Sequence, residues 1–138
     1  MQEKWKKVLG LETEVITNTA KIYFQNEEQG NYDVMVAMWG PDYLDPMTYM
    51  DMWVTDGGNN KTGWSNSKYD LLMEEVKAST DNDTRIKKMM EAEKILGEEL
   101  PIAVIANNVK NVLVNSRVKD MNLMKIAAGN DYYYIDLR

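Results

Sequence analysis

Eight consecutive residues, Trp39-Gly40-Pro41-Asp42-Tyr43-Leu44-Asp45-Pro46, bring an aromatic face, a glycine and two carboxylates together. Those types suit ligand binding: the indole offers a platform, the glycine admits a close backbone approach, and the carboxylates accept hydrogen bonds. Each residue also has a structural use. Asp42 fits a turn or cap acceptor, Trp39 a core anchor, and Asp45 the N-cap of a helix begun by Pro46. Asp42 and Asp45 could also be read as the paired carboxylates of a glycosidase. That chemistry needs one pKa raised, and neither has an evident neighbour to raise it. Trp53 and Trp64 could stack on sugar rings, but one Trp per element fits a core better, and the eleven methionines read as fillers of core gaps.

Composition narrows the chemistry further. The chain has 138 residues, enough for one domain with a core and too few to expect two. Apolar residues at 44% and charged residues at 28% are ordinary for a soluble globular protein. A formal charge of −6 argues against a nucleic-acid partner, which requires clustered Lys and Arg. With no Cys and no His, the usual zinc and copper ligands, thiol nucleophiles and imidazole bases are absent, so no metal, cofactor or catalytic residue is expected. The longest apolar runs, 34–39 and 100–106, are far below the roughly 18 residues of a membrane span. Residues 1–9 lack the apolar centre and cleavage site of a signal peptide.

The elements that would carry Trp39 to Pro46 follow from hydrophobic spacing. Trp5, Val8 and Leu9 lie on one face of a short helix ended by Gly10. Residues 11–16 alternate as a half-exposed strand does. Thr17 or Asn18 can cap a second helix carrying Ala20, Tyr23, Phe24 and Glu27, stopped by Gly30. Residues 32–39 hold one polar residue between Gly30 and Gly40-Pro41, which predicts a strand buried on both faces. Strand, helix and strand make a βαβ unit, hence an α/β fold with a parallel or mixed sheet and flanking helices. Ligands in such folds sit beyond the carboxyl ends of strands, where Trp39 leads into Asp42.

Downstream, Pro46 opens a helix over 47–53, and Gly57-Gly58-Asn59-Asn60 forms a loop. Ser67 precedes a helix with Leu71, Leu72, Glu75 and Val76, where Asp70 suits a capping box or the positive helix start. Residues 84–99 alternate an apolar stripe with a charged face and stop ahead of Pro101, as an amphipathic helix does. Residues 102–106 and 109–114 resemble paired strands, and 132–137 a final one.

Gly30-Asn31-Tyr32-Asp33, an apolar strand, then Trp39-x-x-Asp42-Tyr43-x-Asp45-Pro46 resembles the extracellular solute-binding proteins of family 5, which carry oligopeptides and dipeptides for ABC importers. The order continues through Asn59-Asn60, Trp64-Ser65-Asn66-Ser67-Lys68-Tyr69-Asp70, Arg85, the 91–96 helix and Pro101. The resemblance runs from about Leu11 and weakens after Arg117.

The resemblance implies a type II periplasmic-binding-protein lobe over 1–138, the C-terminal portion of a longer protein, with about 117–138 returning to the other lobe. It implies that Asp42 binds a peptide α-ammonium, whose three donors a carboxylate accepts. It also implies that backbone groups of Met38 and Gly40, around Trp39, take the peptide main chain as an added strand, a mode indifferent to side chains. Some members hold the peptide carboxylate with basic residues; the aligned positions here are Glu27 and Val36, so capture by that route is not implied. The expected partners are an oligopeptide and, through the full-length protein, permease subunits; the expected location is extracytoplasmic, with a lipoprotein anchor upstream. Relatives of this family that carry oligosaccharide, nickel or haem supply the alternative ligands.

Overall fold

The computed structural model describes residues 1–109, 111–121 and 136–137. Contacts divide the chain into two compact units, Met1–Val36 and Ala37–Arg138.

In the first unit, helix α1 spans Gln2–Leu9 and ends at Gly10, whose φ of 68° is the left-handed conformation that glycine enters without steric cost. Helix α2 spans Ala20–Gln29, starts one residue later than Asn18 would have it, with extended Thr19 at the N-cap, and closes on Gly30 at φ 66°. Neither helix buries a residue. Tyr23 packs edge-on against Phe24, ring centroids 5.1 Å apart, and its hydroxyl donates to the Val36 carbonyl at 3.3 Å. The expected strand over 11–16 does not form: Val15 and Ile16 are exposed and no ladder runs there.

The second unit holds the core. Helix α3, Met47–Met50, runs into a 3-10 turn at Asp51–Trp53, so the single helix expected over 47–53 tightens halfway. Helix α4, Ser67–Ala78, begins when the Asn66 side chain accepts the Tyr69 N–H at 3.0 Å. The cap is therefore Asn66 rather than Ser67. Asp70 makes no capping box; its carboxylate accepts the Thr55 N–H at 2.9 Å and ties the preceding loop to α4. Helix α5, Asn82–Glu99, is capped by Asp81, which accepts the Thr84 N–H at 2.9 Å. It ends with left-handed Leu100 just before Pro101, a residue that disfavours helix in its predecessor.

Ion pairs Glu75–Lys88 at 2.6 Å and Lys68–Glu91 at 2.8 Å run in opposite sequence directions along α4 and α5, so the two helices are antiparallel. Between them lie Tyr69, Leu72, Met73, Val76, Met89, Ala92, Ile95 and Leu96, with Met47 from α3 completing the cluster. Tyr69, Met73 and Val76 are the largest fully buried side chains, each contributing roughly 1.5–3 kcal/mol by leaving water.

Strand is scarce. Strand β1, Val118–Lys119, pairs antiparallel with β2, Asp136–Leu137, with Val118 opposite Leu137 and Lys119 opposite Asp136. The buried strand expected over 32–39 is not formed: Val34, Val36 and Met38 are exposed. The paired strands expected over 102–106 and 109–114 are likewise absent among the described residues, with Val104 and Leu113 exposed. The physical reason is the same in each case. A strand exists only against a partner, and no described segment pairs with these. The final strand expected over 132–137 lies outside the described residues except for its last two. Among the described residues no helix is long and apolar enough to cross a membrane.

Candidate functional site

The segment from Met38 to Pro46 leads into α3 as an exposed shelf whose far end is tied down. Asp45 supplies the tie. Its Oδ1 accepts the Met47 N–H at 2.9 Å, satisfying an amide at the start of α3, as an Asp before Pro46 is expected to do. Both its oxygens also meet Arg85 of α5, Nη1 to Oδ2 at 2.8 Å and Nη2 to Oδ1 at 2.9 Å. The two side chains keep 27% and 21% of their exposure, so the pair is shielded enough to count. The Arg85 hydrogen bond, then the Met47 amide, holds the Asp45 carboxyl below the ordinary aspartate value. Asp45 is thus structural, and the glycosidase pairing with Asp42 loses one of its two carboxylates.

A second tie lies one turn further. Thr48, 2% exposed, accepts the Asp42 N–H on its Oγ1 at 3.0 Å. The Asp42 carboxylate is exposed, and among the described residues it has no hydrogen-bond or ion-pair partner. The structural use considered for Asp42, a side-chain cap, is therefore not what the chain makes of it: the backbone is held and the carboxylate left open.

Trp39 is 42% exposed and so is not a core anchor. Gly40 is open, with nothing within 4 Å of where a Cβ would stand, so the chain's own packing does not require a glycine there. Met38 is 82% exposed; its sulfur lies 4.0 Å from Asn108 Nδ2. Among the described residues the backbone N–H and C=O groups of Met38 and Gly40 make no hydrogen bond. Beside them the Tyr43 phenol is pushed up by partial burial and then by the carboxylates of Asp51, Asp45 and Asp42. With Asp45 neutralised by Arg85, the remaining charge at the shelf is negative.

Behind the shelf, a polar web fixes residues 50–66 onto the helix pair. Asn60 donates through its amide to the carbonyls of Trp64 at 2.9 Å, Val54 at 3.2 Å and Trp53 at 3.3 Å, and its oxygen accepts from the Thr62 hydroxyl at 2.8 Å. The Tyr69 hydroxyl donates to the Met50 carbonyl. Glu99, at the end of α5, accepts from Trp64 Nε1 at 2.6 Å and from Asn66 Nδ2 at 2.7 Å. Trp64 also packs edge-on against Tyr69, so it and Trp53, which lies against the core, are structural rather than sugar platforms.

Thr48 was missing from the candidate residues, because nothing local marks a Thr in an apolar run as the acceptor for an amide six residues earlier. The Arg85 partnership was missed too. The only available signal was that Arg85 recurs in the motif series without a local role.

No family model matches the chain. Among curated proteins it is 28% identical over 138 residues, all of this chain and 24% of the relative, to the dipeptide-binding protein DppE of Bacillus subtilis. It is 36% identical over 99 residues, 72% of this chain and 18% of the relative, to the periplasmic oligopeptide-binding protein OppA of Haemophilus influenzae. Among solved structures, the substrate-binding domain of an oligopeptide ABC transporter from Bacillus anthracis superposes with a TM-score of 0.89 over 99% of this chain and 27% of its own, at 24% identity. The murein tripeptide-binding protein MppA, in its unliganded open form, gives 0.70 over 72% of this chain and 19% of its own, at 29% identity. The chain spans about a quarter or less of the length of the curated relatives named here. On these matches, and over that share of their length, the chain is similar to oligopeptide- and dipeptide-binding proteins of ABC transporters.

Proposed function

We propose that the chain is the ligand-capturing part of an extracytoplasmic peptide receptor, which delivers oligopeptides to the permease of an ABC importer. In this reading Asp42 receives the peptide α-ammonium, the backbone of Met38 and Gly40 hydrogen-bonds the peptide main chain, and Trp39 covers it. The observation that carries the reading is the pairing of an open carboxylate with unpaired backbone groups two to four residues away. An ammonium and an extended peptide main chain supply the donors and acceptors that this arrangement lacks. The negative shelf around Tyr43 favours a cationic group there. The names of the relatives, dipeptide-binding and oligopeptide-binding, support the ligand class.

The finer fold belongs to the same proposal. Residues 11–16 and the apolar run 32–39 become strands of an α/β lobe when paired within the whole receptor, forming with the helix between them the βαβ unit that their patterning describes, and the run 102–106 becomes a strand as well. Residues from about 117 onward pass back to a second lobe, and a lipid anchor holds the receptor outside the membrane. The exposure of Val34, Val36, Met38 and Val104 supports this, since apolar strands left uncovered are costly in water.

Calorimetry on the complete receptor carrying this chain tests the function. Mixed oligopeptides are expected to give saturable heat and cello-oligosaccharides none. Heat from the sugars with silence from the peptides would overturn the reading.

A further inference from the structure

We propose that Thr48 and Arg85 are positioning residues for Asp42, setting where its carboxylate stands without touching ligand. This rests on the reading that Asp42 receives a peptide α-ammonium. The Asp42 side chain has no partner among the described residues, so its position is set through its backbone. That backbone is held by one described bond, from its N–H to Thr48 Oγ1 at 3.0 Å. Thr48 is the buried polar residue of the described core, and its hydroxyl is spent on the amide of an exposed residue.

Helix α3 has four residues and cannot hold its own place, because so short a helix is unstable alone. Its start is fixed by Asp45, which accepts from Met47 and is gripped at both oxygens by Arg85. Arg85 stands on α5, the 18-residue helix that supplies Met89, Ala92, Ile95 and Leu96 to the core. A continuous path therefore runs from the most rigid element through Arg85, Asp45 and Thr48 to the Asp42 amide. A carboxylate meeting an ammonium depends on placement at the scale of a fraction of an ångström, which is what such a path secures.

The test compares two peptides, one with a free α-amino group and its N-acetylated twin, on the complete receptor. Thr48→Val is expected to weaken the free-amino peptide by about three- to tenfold and to leave the acetylated one within about twofold. Thr48→Ser, which keeps the acceptor, restores the wild-type ratio. Arg85→Gln reads the same path from its other end, so the outcome does not depend on one variant folding. In an Asp42→Asn background Thr48→Val should add nothing further. Equal weakening of both peptides, or no weakening while Asp42→Asn alone is selective, overturns the positioning role and leaves the Asp42 reading standing. If Asp42→Asn is itself unselective, the Asp42 reading falls and the positioning role with it.

Discussion

Arg85 grips Asp45 across 40 residues of sequence with two hydrogen bonds, 2.8 Å and 2.9 Å long. Asp45 spends the same carboxylate on the first free amide of α3, so one residue joins a short helix to a long one. The shelf that carries Asp42 is thereby fixed to the α4–α5 pair, which buries the unit's core.

Removing that grip should lower stability and change its acid dependence. Arg85→Met leaves a half-buried carboxylate without its cation and is expected to lower the midpoint of urea unfolding. Because Arg85 holds the folded Asp45 pKa below its ordinary value of 3.8, the contribution is complete above that value. It is lost as pH falls through the lower folded value. Urea midpoints on either side of 3.8 should show this loss in the wild type and a smaller one in Arg85→Met.

Tyr69 sets the opposite, alkaline limit. Its ring is fully buried, its hydroxyl donates to the Met50 carbonyl, and burial first, then Asp51 and Asp70, pushes the phenol far above its ordinary value of 10.0. A raised acid pKa stabilises the fold fully below 10.0, and the contribution is lost as pH rises towards the folded value. Tyr69→Phe should cost about 1–2 kcal/mol at neutral pH and remove much of the alkaline destabilisation. Circular dichroism melts above and below 10.0 would show both effects.

Asn60 is the hub of the loop that returns from the 3-10 turn to α4. Asn60→Ala strands the carbonyls of Trp53, Val54 and Trp64 together and should cost roughly 1–3 kcal/mol. Tryptophan emission should shift to the red, since Trp53 and Trp64 flank the loop. Unchanged emission with an unchanged melting temperature would show that the loop is held elsewhere.

The helices were legible in the sequence and the strands were not, for different reasons. Helix α5 carries its own signals in the stripe from Met89 to Leu96 and the stop at Pro101, although it starts at Asn82 behind an Asp81 cap, two residues before the expected 84. The start of α4 was misread by one residue because Asn66 and Ser67 are both good caps, and the geometry chose Asn66. Asp70 was read locally, as a helix-start acid, whereas it serves the Thr55 amide 15 residues away. Residues 32–39 have the pattern of a buried strand, but pattern states a need for burial and cannot supply the neighbour. At the site, the resemblance singled out Asp42, Trp39, Gly40 and Met38, whereas the exposed carboxylate and the open backbone are seen only in the structure, since residues 32–39 read as a buried strand. Neither Thr48 nor Arg85 was singled out as a site residue, since both act through contacts that local spacing does not encode.

The most direct measurement of the central claim is the affinity of the complete receptor for a peptide with a free α-amino group and for its N-acetylated twin, in the wild type and in Asp42→Asn. An open carboxylate that meets an ammonium predicts that Asp42→Asn weakens the free-amino peptide by about 10- to 100-fold and the acetylated one by less than about twofold. Equal losses for the two peptides, or none for either, would contradict it.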